Sequence, residues 1–211
     1  MIPIPERGIY LASRSPRRRE LLSQIGVRYH LLLFRERARG SSSVPDIDED
    51  PLAGEAPAAY VERMARAKAD AGWSRMLQRN LPPAPVLAAD TTVALKDQIL
   101  GKPRDRAEAA EMLAALSGQR HEVLTGVALK NYDQVEFALS SSEVVLKKLS
   151  ADEIALYAAS GEGDDKAGAY AIQGRAGRFV VELRGSYSGM MGLPLYETSL
   201  LLEKLRGRNP Y

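Results

Sequence analysis

The sequence has no cysteine. That removes disulfides, zinc–thiolate centres and thiol nucleophiles together, and it suits a chain kept in a reducing compartment. Histidine is nearly absent too: His30 and His121 lie far apart without ligand spacing, so neither a histidine metal centre nor a histidine–serine relay is written into the chain. There is no apolar run of membrane-spanning length and no signal-peptide pattern, which points away from a membrane and to the cytoplasm. Three Phe, one Trp and nine Tyr are scattered along 211 residues, giving no platform on which nucleic-acid bases would stack. An overall excess of one charge is also missing. The 29 Lys and Arg nearly balance the 27 Asp and Glu, which argues against a dedicated nucleic-acid or membrane-surface protein.

Two motifs fail on inspection. Gly101-Lys102 is not a phosphate-binding P-loop, because Lys96 stands where the first glycine belongs and Pro103 where a hydroxyl residue should follow. Gly185 to Gly189 is not a nucleophile elbow, since its central residue is Tyr187. No internal repeat is present, and the length suits a single domain over residues 1–211.

What is present is locally lopsided. Residues 1–39 carry nine arginines against three glutamates, while residues 40–60 carry five acids and no base. Ser15-Pro16 reads as a helix cap followed by a first helical residue, because proline lacks the N–H that would be wasted there and has a helical φ. The first turn then holds Arg17, Arg18 and Arg19, the unfavourable sign for a helix N-terminus. The hydroxyls of Ser13 and Ser15, free N–H groups and guanidinium forks converging there make a receptor for a phosphate chain, or else a solvated basic turn.

Further along, the pattern predicts a helix from Pro16 to about Ile25 stopped by Gly26, a strand from Val27 to Phe34, and a loop from Arg35 to Pro57 holding an acidic run that includes Glu49. A long helix from Pro57 to Leu77 has Val61, Met64 and Ala71 on its apolar stripe, and Lys68 falls on that stripe, where it either snorkels out or meets an anion. An apolar strand from Val86 ending in Ala88-Ala89-Asp90 carries a carboxylate to its tip, where open α/β sheets place ligands. A hairpin turn at Lys96 to Gln98 leads to Lys102, held in a stiff turn between Gly101 and Pro103. After a helix from Asp105 to Leu116, His121–Leu129 and Val135–Leu149 read as an antiparallel hairpin, with His121 packed locally. Ser150 to Glu153 is a capping box opening a helix that ends at Gly161. The glycine-rich stretch 161–177 lets backbone approach a ligand or merely connects elements. Phe179–Leu183 is a strand, 185–189 a turn, and Tyr196–Leu205 a closing helix.

Taken together, Leu11 to Leu22, Ala89-Asp90-Thr91, Gly101-Lys102-Pro103, Leu116-Ser117-Gly118 with His121 and Thr125-Gly126, and Ile172-Gln173-Gly174 through Gly192-Leu193-Pro194 resemble the Maf family of nucleoside triphosphate pyrophosphatases, in order over nearly the whole chain. The resemblance implies an α/β domain in two lobes, an elongated mixed sheet flanked by helices with a central cleft. It also implies hydrolysis of a nucleoside triphosphate to monophosphate and pyrophosphate with a divalent metal, Mg or Mn, in a chain that forms a homodimer if it follows the family. Ile172-Gln173-Gly174 is similar to the branch acting on dTTP and UTP, the alternative being the 7-methyl-GTP branch. By motif, Asp90 is the proton acceptor, and Arg17, Thr91 and Gln173 select the base. Ser13, Arg18, Glu49, Lys68 and Lys102 complete the pocket, Lys102 among the catalytic groups and Asp90 with Glu49 as metal ligands. The segment from Phe34 to Asp46 is longer than relatives have, and Met190-Met191 stands where smaller residues are usual. Such relatives serve as house-cleaning enzymes for modified nucleotides. They were also linked to arrest of septum formation, so a non-enzymatic division regulator acting through protein contacts is the competing reading. An enzyme needs its acids and bases in one cleft, whereas a scaffold needs an exposed apolar patch.

Overall fold

In a computed structural model, which describes residues 8–33 and 47–205, the apolar segments assemble into one seven-stranded mixed sheet. The strands are β1 (Ile9–Leu11), β2 (Tyr29–Leu31), β3 (Val86–Leu95), β4 (Gln98–Leu100), β5 (Arg120–Asn131), β6 (Gln134–Leu146) and β7 (Val180–Arg184). The helices are α1 (Pro16–Gln24), α2 (Pro57–Gln78), α3 (Arg106–Leu116), α4 (Ala151–Ser160), α5 (Tyr187–Met190) and α6 (Leu195–Glu203). The sheet order is β2-β1-β3-β5-β6-β7, with β4 paired to the far end of β3. β1 runs parallel to β2 and β3, and all other pairs are antiparallel.

The two-residue period of β3 decides which side chain goes where. Val86 and Ala88 pack with Ala65, Ala69, Trp73 and Met76 of α2. Leu87 and Ala89 turn to the other face, against Leu21 and Leu22 of α1 and Leu201 and Leu202 of α6. Each fully buried leucine there stabilises the fold by about 1.5–3 kcal/mol. Farther along the strands, Val93 joins Leu113, Leu116, Tyr157 and Phe179 in a separate core under α3 and α4. The clusters strung along the same long strands give the mixed sheet flanked by helices expected from the family resemblance.

Local signals account for the helix starts. Ser15, Asp105 and Ser150 each accept a backbone N–H as N-caps, and Ser150 with Glu153 completes the capping box. Gly26 takes the left-handed φ of 71° that stops α1. On β5, Gly126 stands opposite Asp90, and a Cβ there would meet the Val61 carbonyl oxygen at 2.8 Å and the Phe137 ring at 2.9 Å. Only a glycine lets α2 lie this close to the sheet.

Four expectations need correction. The strand expected over Val27–Phe34 shrinks to Tyr29–Leu31, because only three β1 residues are available to pair with it; Val27 packs into the core instead, and Phe34 lies outside the described residues, as does the extra length up to Asp46. The hairpin arm expected to reach Leu149 ends at Leu146, beyond which the chain turns toward the α4 cap. Phe179 closes a 3-10 turn spanning Arg175–Phe179, so the last strand starts one residue later. The turn expected at 185–189 contains a one-turn helix, capped by the Ser186 hydroxyl accepting from the Gly189 N–H at 3.0 Å.

Candidate active site

The site exists because the sheet is incomplete on one edge of β3. β1 pairs only with Val86 and Leu87 and then ends, while β4 pairs only with Val93 to Leu95. Between them Ala88 to Thr92 have neither neighbour alongside, and the chain leaving β1 turns through Ala12–Ser15 into α1 beside this opening. Asp90 is therefore inside β3 and not at its tip, as expected from Ala-Ala-Asp; the space before it comes from the early end of β1. A cleft of about 690 Å³ opens here, within the size range of small-molecule sites. Ser13, Arg17, Arg18, Lys68, Asp90, Thr91, Lys102 and Gln173 all line it. Glu49 reaches it through its two lysine partners.

Strand alternation sends Asp90 toward α2, where Lys68 lies on the buried stripe. Its ammonium sits 2.6 Å from Asp90 Oδ1 and 2.5 Å from Glu49 Oε1, so the lysine meets anions and does not snorkel away. Lys102 closes the chain of charges, 3.1 Å from Glu49 Oε2. Burial acts to lower the Lys68 pKa, but the Asp90 and Glu49 charges outweigh it and the net shift is upward. Burial likewise acts to raise Glu49, and Lys68 and Lys102 overcome it, holding this carboxyl at about 2. Tyr60 anchors the acidic loop by donating to the Glu49 carbonyl at 2.8 Å.

On the other face, Thr91 points toward α1. Its hydroxyl is 3.3 Å from Arg18 Nη2 and 2.9 Å from the Thr125 hydroxyl. Arg18 also donates to the Gly192 carbonyl at 2.7 Å and to the Ser13 hydroxyl at 3.4 Å, so it ties α1 to the sheet and to the C-terminal segment. Arg17, on the adjacent helical position, faces the cleft, where burial lowers its pKa against an opposing pull from Glu20. With the Gln173 carboxamide turned so that its oxygen meets the guanidinium, it accepts from Arg17 Nη1 at 2.9 Å and Nε at 3.2 Å. Two of the three residues assigned to base selection, on opposite arms of the chain, thus meet directly.

Lys166 was not singled out by sequence. It lines the cleft beside an ion-pair partner, Asp165. Burial, then Arg17 and Lys102, bring its pKa down to about 8 against the opposing Glu162. The only local signal was its place in a glycine-rich stretch. Among the described residues no group of three or more His, Cys, Asp or Glu side chains is placed to hold a metal, and no helix is long and apolar enough to cross a membrane.

His121 supports the site from behind. Its Nε2 lies 2.8 Å from the Tyr170 hydroxyl, with the rings edge-to-face, and only 3% of the residue is exposed. Burial, against a weaker pull from the Gln119 backbone, pushes the imidazole down to about 4 from 6.5. The unfolded chain takes up this proton near pH 6.5, whereas the folded one refuses it until about pH 4. Stability from this residue is full above pH 6.5 and falls on acidification, by about 2 kcal/mol at pH 5. Urea unfolding at pH 7.5 and 5 should show this loss in the wild type and a smaller one in His121→Gln; equal losses would remove His121 as its source.

The family model described as Maf-like protein matches residues 8–205. A dTTP/UTP pyrophosphatase of Nitrosomonas europaea is 56% identical over 196 residues, covering 93% of each chain. One from Dechloromonas aromatica is 55% identical over 197 residues, 93% of this chain and 96% of the other. One from Aromatoleum aromaticum is 56% identical over 203 residues, 96% and 97% of the two chains. Among solved structures, the Ham1 protein of Staphylococcus aureus aligns over 95% of this chain and 99% of its own, at a TM-score of 0.48 and 15% identity.

Proposed function

The chain belongs to the Maf family, and from that premise we propose that it is a nucleoside triphosphate pyrophosphatase that hydrolyses dTTP and UTP to the monophosphate and pyrophosphate. The observation that carries this reading is that one cleft gathers the carboxylate–lysine chain of Asp90, Lys68, Glu49 and Lys102 together with Arg17 and Gln173. A division regulator acting only through protein contacts would have no use for that convergence.

The reaction asks for positioning and charge stabilisation more than for covalent chemistry. Water attacks the α-phosphorus, its proton passes to the Asp90 carboxylate, and the bond to the bridging oxygen breaks, so pyrophosphate leaves with that electron pair. Lys68 holds Asp90 Oδ1, which leaves Oδ2 to take the proton. Lys102 and Lys166 supply positive charge along the cleft to hold the phosphates. Arg18 and Ser13 keep the helix N-terminus in place beside them. Asp90 and Glu49 also fit a hard divalent cation: both carboxylates already converge on one positive charge, and Mg²⁺ or Mn²⁺ needs only one or two carboxylates when phosphate oxygens and waters complete its shell. Held there, the ion would neutralise phosphate charge and lower the pKa of bound water.

Choice of base falls to Gln173 with Arg17. Uracil and thymine present a carbonyl, an N–H and a second carbonyl along one edge, and a carboxamide NH₂ can donate to either carbonyl. Arg17 fixes which end of the carboxamide accepts, leaving its NH₂ to donate. We expect kcat/KM for dTTP and UTP to exceed that for 7-methyl-GTP by at least about tenfold, roughly 1.4 kcal/mol, and Gln173→Ala to narrow the gap. Pyrophosphate release measured with the three nucleotides tests this; a preference for 7-methyl-GTP, or no release from dTTP, would defeat the reading.

A further inference from the structure

Gln173 sits at the exposed crest of the segment Ala171–Arg175, where a side chain that reads a base should be poorly held. It is held from below. The Ala171 N–H donates to the Tyr157 hydroxyl at 3.1 Å, the Tyr157 hydroxyl donates to Glu162 Oε1 at 3.0 Å, and the Arg175 N–H donates to the same oxygen at 2.8 Å. An amide N–H can only donate and a carboxylate only accept, so the direction of every bond in this chain is set. Gly174 completes the fit: a Cβ there would lie 2.1 Å from Glu162 Oε1, so the carboxylate presses directly on the backbone beside Gln173.

The anchors themselves are firm. Tyr157 comes from α4, is 4% exposed and packs edge-to-face on Phe179 with ring centroids 5.6 Å apart. Burial foremost raises the pKa of its phenol, which keeps its proton available for Glu162. Glu162 follows the helix at its glycine stop, with its N–H donating to the Ser160 hydroxyl at 3.3 Å.

We infer that Tyr157 and Glu162 form a brace that pins both ends of the base-reading segment, and that they are positioning residues for pyrimidine selectivity acting through Gln173. The inference rests on the pyrophosphatase reading above. A carboxamide must meet a base edge within a few tenths of an ångström to pair with it, and a displacement of about 1 Å can cost up to 10²-fold.

The test measures kcat/KM for dTTP and dCTP in the wild type, Tyr157→Phe, Glu162→Gln, Glu162→Ala, Gln173→Ala and the Tyr157→Phe/Gln173→Ala double variant. Tyr157→Phe keeps the ring and its packing while removing one hydroxyl, and should lower the dTTP-to-dCTP ratio about tenfold. Glu162→Ala should do the same. Glu162→Gln, which keeps a carbonyl oxygen for the Arg175 N–H, should recover most of the ratio. In the Gln173→Ala background, Tyr157→Phe should change it by less than about twofold, because the residue through which it acts is gone. An unchanged ratio in both Tyr157→Phe and Glu162→Ala overturns the inference alone, as does a loss of equal size in the Gln173→Ala background. A wild type that does not hydrolyse dTTP overturns the pyrophosphatase reading and the inference with it.

Discussion

Replacing Asp90 by asparagine is expected to lower turnover of dTTP by roughly 10²–10⁴-fold while leaving its binding within about threefold. Asparagine has the same shape and offers an oxygen to the Lys68 ammonium, which now lies 2.6 Å from Asp90 Oδ1. Lys68 also keeps Glu49, 2.5 Å away, so the variant is not left with an unpaired buried cation. What disappears is the negative charge and the capacity to take a proton. Either loss is felt mainly in the transition state, so kcat should fall and KM should move little. Arg17→Ala should behave differently, raising KM as well, because a phosphate or base contact exists before the reaction starts. Pyrophosphate release with purified protein, alongside nucleotide binding, separates the two cases. Near-normal turnover in Asp90→Asn would take this carboxylate out of the chemistry.

The features legible in the sequence were those carried by a few adjacent residues. β3 ends at Leu95, where the turn residues Lys96 and Asp97 take the positive φ that a hairpin needs. The Ser15, Asp105 and Ser150 caps were legible because capping is decided within four residues. The helical period put Lys68 on a buried stripe, yet it could not say what waited there. That answer depends on Glu49 and Asp90, which approach from 19 residues upstream and 22 downstream. The position of Asp90 likewise depends on a distant segment. Ala88-Ala89-Asp90 looks like a strand end, but the opening beside it is made by β1 stopping after Leu11, a fact about a different segment. The brace of Tyr157 and Glu162 left no local mark at all. It needs α4 and the 171–175 segment to be folded against each other before either side chain means anything.

Lys68→Met should destabilise the fold by about 3 kcal/mol at neutral pH, because it leaves the Asp90 and Glu49 carboxylates facing each other over an apolar side chain. Asp90 has 11% of its side chain exposed and Glu49 32%, so neither can turn fully to water. Lys102 remains as a partner for Glu49 only, at 3.1 Å. The pH dependence should also weaken. In the wild type the Glu49 carboxyl is held near 2, below its ordinary 4.5; it contributes stability above pH 4.5 that is lost as pH falls toward 2. In the variant, two facing carboxylates favour sharing a proton, which offsets part of the His121 loss, so its stability should fall less than the wild type's from pH 7 to 5. A divalent cation offers a second remedy. If Asp90 and Glu49 hold Mg²⁺ or Mn²⁺, a concentration about 100 times the dissociation constant restores about 2.7 kcal/mol, nearly the whole loss. Thermal melts of both proteins at pH 7 and 5, with and without the ion, read the lysine bridge, the variant's weaker pH dependence and the effect of the ion. Equal melting temperatures at pH 7 would mean that the lysine bridge stabilises nothing. A variant that melts lower but ignores the ion would mean that these two carboxylates do not form a metal site without substrate phosphates.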